Sequence, residues 1–229
     1  MADGGRRRRL GLFGSPESVH YALSRPWDEH DWSASDDSVR GGKSYSSMVI
    51  ITHHEKQQEE KTHSGGDGAA DVALFSGHLD ITALGGAGFA SQRCAGRFNL
   101  SGFDAVALEL LVPPSAAAAN SLTYTLVLKD TAPLPKRPDG REQSSVSWEH
   151  DFIVAPADGA VASGDQPLVV VLPFDGFRAT YRGKPYDSPE PLDRASIRTV
   201  AFMVRSFFGT QQGPFVVKIR SVVAEQRPG

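Results

Sequence analysis

The chain has a single cysteine, Cys94, in 229 residues, so no internal disulfide can form. A reducing compartment fits that usage. No apolar run approaches the roughly 20 residues that a bilayer-spanning helix needs. A large excess of one charge is also missing: the formal net charge is -3, which disfavours bulk attraction to nucleic acid or to an anionic membrane. Helical periodicity is scarce and no internal repeat is found. Pro16 to Ser24 could form two turns, with Ser15 as N-cap and Pro16 at the first helical position, and Leu192 to Ile197 could form one.

Strand periodicity fills the space that helices leave. Val106, Leu108, Leu110 and Val112 alternate with their neighbours, as do Leu122 to Leu128, Val200 to Val204 and Phe215 to Ile219. Val72 to Ile81, Ser145 to Val154 and Leu168 to Phe174 read as further strands, and Gly209 to Pro214 reads as a hairpin loop between the strands at Val200 to Val204 and Phe215 to Ile219. A hydrophobic fraction of 40% supports a real core, and short strands with polar turns imply a sandwich, jelly roll or barrel. The expected organisation is a tail and short helix over 1–26, one domain over 27–225 and a tail over 226–229. A polar insertion falls at about 53–71; Pro133 to Glu142 reads as an exposed loop and Ala116 to Ala119 as a local expansion. Arg6 to Arg9, followed by Leu10, Leu12 and Phe13, reads either as an organelle-targeting segment or as a disordered basic tail.

The stretch Trp32 to Ser44 (WSASDDSVRGGKS) carries the densest chemistry. Gly42-Lys43-Ser44 ends like a phosphate-binding loop, but the first glycine of that motif would fall on Asp37, and Tyr45 to Ile51 reads as strand where a helix is required. Gly86 to Ser91 resembles a dinucleotide fingerprint without its helix, so the glycines are assigned to a bulge or tight turn at a sheet rim. Asp36 and Asp37 are adjacent and would not converge on one bond; Asp36 is assigned to a turn, and Asp37 to backbone amides or Arg40. They and Glu225 are oxygen donors that the sequence does not bring together, so no metal is assigned. His53, His54 and His63 belong to a solvated loop, and Cys94 reads as a small buried or edge residue.

Glu109, Lys129 and Arg205 occupy alternate strand positions where Thr or Val would suit a plain face. If their strands are neighbours they form an ion-pair ladder or a polar binding surface; the plain alternative is a solvated outer face. Phe207 and Phe208 beside Gly209 offer an apolar anchor, oriented by Arg205 and Arg182. Trp32, Trp148, Tyr181 and Phe208 are candidate aromatic platforms, although Trp148 also suits a core.

The ordered blocks SDDSVRGGKSYSSM, FSGHLDITALGGAGFASQR, YTLVLKD, SSVSWE, LPFDGFRATYRGK and MVRSFFGTQQGPF, spanning about residues 27 to 225, resemble the complex I intermediate-associated protein family of the thirty-kilodalton type. The resemblance implies an all-β, galactose-binding-like antiparallel jelly-roll sandwich. It also implies a non-catalytic, chaperone-like role on a membrane-arm intermediate of mitochondrial complex I, alongside other assembly factors on the matrix side; a cytoplasmic location is the alternative. It implies no cofactor. Positions in the matching blocks that could form a surface are Trp32, Asp36, Asp37, Arg40, Gln92, Arg93, Lys129, Trp148, Arg182 and Arg205. The competing expectation is a carbohydrate-binding module with a glycan on a concave sheet face.

Overall fold

The computed structural model describes residues 8–14, 25–52, 71–113, 122–135, 137–138, 143–154 and 165–226. The expected helix at Pro16 to Ser24, the Ala116 to Ala119 expansion and the three loop histidines lie outside these residues. Among the described residues the helical elements are 3₁₀ turns, including one at Arg194–Ser196 inside the expected turn.

The thirteen strands are β1 (Arg9–Gly14), β2 (Trp32–Ala34), β3 (Tyr45–Ile51), β4 (Val72–Leu79), β5 (Phe89–Phe98), β6 (Ala105–Val112), β7 (Thr123–Lys129), β8 (Ser147–Ile153), β9 (Gln166–Pro173), β10 (Arg178–Tyr181), β11 (Lys184–Pro185), β12 (Ile197–Arg205) and β13 (Gly213–Glu225). They form two antiparallel sheets. One runs β3-β4-β13-β6-β9, with β1 also paired to β13; the other runs β11-β10-β8-β7-β12-β5-β2. The expected all-β sandwich is therefore present. Alternating side chains put Phe75, Leu108, Leu110 and Val217 of the first sheet against Leu126, Leu128, Val200 and Phe202 of the second, all buried. The hydroxyl of Tyr124, itself buried, donates to the Val216 carbonyl oxygen at 3.2 Å.

Three expectations are corrected here. Arg9 to Gly14 is not tail: it pairs with β13 from Arg9↔Glu225 to Gly14↔Ser221. Leu12 and Phe13 are buried, and Phe13 packs on Trp27, Trp32 and Phe98 with ring centroids 5.4, 5.2 and 5.6 Å away. Gly209 to Pro214 is not a hairpin loop, because β12 and β13 belong to different sheets and the segment crosses between them. The last strand also runs past Arg220. A register shift between Ile219 and Ser221 moves the inward parity from Phe215, Val217 and Ile219 to Val222 and Ala224, which hides the continuation from a strict period of two.

Candidate functional site

A cleft of about 530 Å³ lies on the outer face of the seven-stranded sheet. Its floor follows from register. Arg93 on β5 stands beside Ala201 on β12, which stands beside Val127 on β7 and then Glu149 on β8; Lys129 lies beside Thr199. Residues directly opposite in an antiparallel sheet share a face, so these side chains point outward together. Arg40, Leu134, Arg182 and the Ser206–Phe208 segment form the rim.

Arg205 organises one end. Its Nη1 donates to Glu149 Oε2 at 2.5 Å, and its Nη2 donates to Asp151 Oδ1 and Oδ2 at 2.9 and 2.8 Å. Thr180 Oγ1 donates to the other Glu149 oxygen at 2.6 Å. The guanidinium carbon lies 4.5 Å from the Phe207 ring centroid. Burial is the main cause that holds the Glu149 carboxyl above the ordinary glutamate value, against the lowering by Thr180 and Arg205. A raised carboxyl favours folding while protonated, and that contribution is lost as pH rises through the folded value. The stability difference between wild type and Glu149→Gln is thus expected to move against wild type as pH climbs from below the ordinary glutamate value to above it. Urea unfolding across that range checks it; a parallel pair of pH profiles would remove the assignment.

The rim segment is fixed by backbone mimicry. Gln211 Nε2 donates to the Thr123 and Arg205 carbonyl oxygens at 2.9 and 2.6 Å, and its Oε1 accepts from Thr123 N at 2.9 Å. The turn leaves Phe208 82% exposed. Phe207 and Phe208 have φ of 44° and 59°, and Arg182, in the β10–β11 turn, has φ of 53°. These three are the positive-φ non-glycine residues among those described, and all line the cleft.

The sequence-selected residues divide into two groups. Arg40, Arg93, Lys129, Arg182, Arg205 and Phe208 do converge on the cleft. Trp32, Asp36, Asp37 and Gln92 are buried and offer no surface. Trp32 faces inward because it pairs with Cys94 on the core side of β5; Trp148 packs against the core from β8 beside Leu128. Gln92 Nε2 donates to Ser46 O and Oγ, both at 3.1 Å. Glu109 lies in the other sheet, where it accepts from Arg9 Nη2 at 3.3 Å and from Ser221 Oγ at 2.8 Å, so the three-residue ladder does not form. Cys94 is buried, and burial pushes its thiol up to about 11.

The two aspartates brace the cleft from behind. Asp37 accepts from Ser44 N (3.0 Å), Ser44 Oγ (2.7 Å) and Phe89 N (3.0 Å). Asp36 accepts from Ser46 N (3.1 Å), Ser46 Oγ (2.7 Å) and Ser91 N (2.8 Å). The amide-binding role expected of Asp37 is met; Asp36 ties β3 to β5 instead of shaping a turn. Glu225 lies apart, 3.5 Å from Arg9 Nε. Gly41 takes φ of 84° to end a 3₁₀ turn at Asp37–Arg40, and a Cβ on Gly42 would stand 2.1 Å from Asp37 Oδ1. Gly42 thus wraps a buried carboxylate, while Gly41 turns the chain towards it. Sequence reading missed Glu149, Asp151 and Thr180; the signal was the alternation of Ser147, Glu149 and Asp151 within a strand.

Residues 21–219 match the family described as Complex I intermediate-associated protein 30 (CIA30). The chain belongs to the CIA30 family. A relative from Schizosaccharomyces pombe, the uncharacterized protein C9E9.15, is 35% identical over 218 residues, covering 94% of this chain and 83% of its own. Among solved structures, the family 11 carbohydrate-binding module of the cellulosomal cellulase Lic26A-Cel5E of Clostridium thermocellum superposes with a TM-score of 0.52 at 13% identity, covering 97% of both chains. That likeness is one of fold. The CIA30 family ties the chain to complex I assembly at the family level. Among the described residues no helix is long and apolar enough to cross a membrane.

Proposed function

We propose that this chain is a non-catalytic assembly factor that holds an intermediate of mitochondrial complex I, acting on the matrix side with other assembly factors. The observation that carries the reading is the CIA30 match over residues 21–219. The cleft supports it: its floor is hydrogen-bonded sheet, and its rim offers Phe208 as an apolar anchor beside Arg205 and Arg182. A preformed surface with an aromatic anchor suits holding a protein, since little ordering entropy is lost on binding. Deleting the gene is expected to deplete mature complex I and accumulate a membrane-arm intermediate on native gels. Reintroducing the wild-type chain restores the complex; normal complex I in the deletion strain would sink the proposal.

A second reading is glycan binding, favoured by the fold shared with the family 11 carbohydrate-binding module. The floor of the cleft argues against it. Sugar rings stack on planar aromatic faces, whereas Val127, Ala201 and Met203 lie under this cleft and the ring of Phe207 already carries Arg205. Calorimetry with β-glucan oligosaccharides at millimolar concentration is expected to give no heat of binding.

A further inference from the structure

We infer that the free edge of β9 pairs antiparallel with β9 of a second copy of this chain, joining two six-stranded sheets across a twofold axis at Val170. The inference goes beyond the assembly role and does not depend on it. The strand's own sequence selects the occupant. Pro167 to Pro173 reads Pro-Leu-Val-Val-Val-Leu-Pro, the same in both directions. A contact about a twofold axis must be self-complementary. An antiparallel copy of this strand sets every residue opposite its own kind. Val170 meets Val170, Val169 meets Val171, Leu168 meets Leu172 and Pro167 meets Pro173.

The backbone agrees. β9 ends its sheet, and among the described residues it pairs with β6 alone. Phe174 N donates to Asp104 O at 3.0 Å, one step beyond the Ala105↔Pro173 pair. Antiparallel pairs alternate between bonded and unbonded, so Leu168, Val170 and Leu172 turn their amides to β6. Val169 and Val171 turn theirs to the open edge. Pro167 and Pro173 share that edge and have no N–H to leave unpaired there. Pairing about Val170 sets each valine N–H of the edge opposite a valine carbonyl of the other copy, and the prolines stop the ladder on either side. Side chains complete the match. Val169 and Val171 are 55% and 41% exposed and would meet as cross-strand apolar pairs. Leu168 and Val170 pack towards the core yet are only partly buried, and a second β9 supplies their missing neighbours. Charge is a usual protection of an edge strand, and Gln166–Pro173 has none. The carboxylate just before it, Asp165, accepts from Lys218 Nζ at 2.6 Å.

Sedimentation velocity of the full chain is expected to show monomer giving way to dimer as concentration rises through the micromolar range. Val169→Pro or Val171→Pro deletes an outward N–H and spares the ladder to β6, so each is expected to weaken the dimer at least about tenfold. Thermal unfolding near the wild-type midpoint shows that these variants are folded. Should proline unfold the chain, Val169→Lys with Val171→Lys keeps the backbone and sets like charges opposite each other. That variant is expected to stay monomeric at low salt and to regain dimer as salt rises. Val170→Cys reads the register: unbonded antiparallel partners have Cα atoms about 4.5 Å apart, within disulfide range. It is expected to give a disulfide-linked dimer on mild oxidation, whereas Val49→Cys, on the opposite edge strand β3, is not. The inference is overturned if the chain sediments as monomer throughout, if a folded proline variant or the double lysine variant dimerises as wild type does, or if Val49→Cys cross-links as readily as Val170→Cys. A monomeric chain that captures a foreign extended peptide at β9 gives the edge to another occupant and overturns it too.

Discussion

Asp37→Ala is expected to lower the free energy of unfolding by about 3–5 kcal/mol. The carboxylate is fully buried and accepts three hydrogen bonds, two of them from backbone amides that have no freedom to find another partner at that depth. Hydrogen bonds to a charged acceptor contribute about 1.5–3 kcal/mol each, and the cost of burying the charge offsets part of their sum. The glycine wrapping around the carboxylate would be left lining a void. In a chain of this length the loss corresponds to a fall in Tm of roughly 10–15 °C. Asp37→Asn keeps the volume but turns an amide donor towards donors, so about half of the loss is expected. Urea unfolding of the three proteins measures this; an alanine variant within about 1 kcal/mol of wild type would show that the loop closes without the carboxylate.

A chain trimmed to residues 21–219, the span that matches the family, is expected not to fold. The cut removes β1 and the end of β13. With them go Leu12, Phe13, Val222 and Ala224 from the core, and the neighbours of Ala105 to Glu109 on β6. Phe13 alone touches three aromatic rings, and truncating a core Phe costs about 3–5 kcal/mol. Whole-domain stabilities are only about 5–15 kcal/mol, so the combined loss exceeds what the fold can absorb. The exposed flank of β6 would also present unpaired backbone groups to other molecules. Circular dichroism melting and gel filtration check this. A sharp cooperative transition near that of the full chain would show that the two strand segments are dispensable.

Most of the sandwich is legible in the sequence because a half-buried strand must alternate: β6, β7, β12 and the first half of β13 announce themselves through Val106 to Val112, Leu122 to Leu128, Val200 to Val204 and Phe215 to Ile219. What alternation cannot supply is the sheet to which a strand belongs. That is why Glu109 was grouped with Lys129 and Arg205, and why the Gly209 segment read as a hairpin. Polar identity misled in a second way. Asp36, Asp37 and Gln92 look like surface residues, yet each is buried because its hydrogen bonds are met by Ser44, β3 and β5. Six of the sequence-selected positions did reach the cleft, and they are the cations and the exposed Phe208, whose hydration or partner-seeking surface has no place in a core. Arg9 to Gly14 was obscured by the arginine run before it, although Leu12 and Phe13 carried the apolar signal.

The left-handed backbone at Arg182, Phe207 and Phe208 has an energetic consequence. Each such residue costs about 1–3 kcal/mol that a glycine would not. The protein therefore forgoes stability at three points around a single opening, and gains there a guanidinium and two phenyl rings where a glycine would leave none. Replacing any one of the three by glycine would recover that energy and forfeit the side chain it supports, so stability and the chemistry of the rim are set against each other at the same positions.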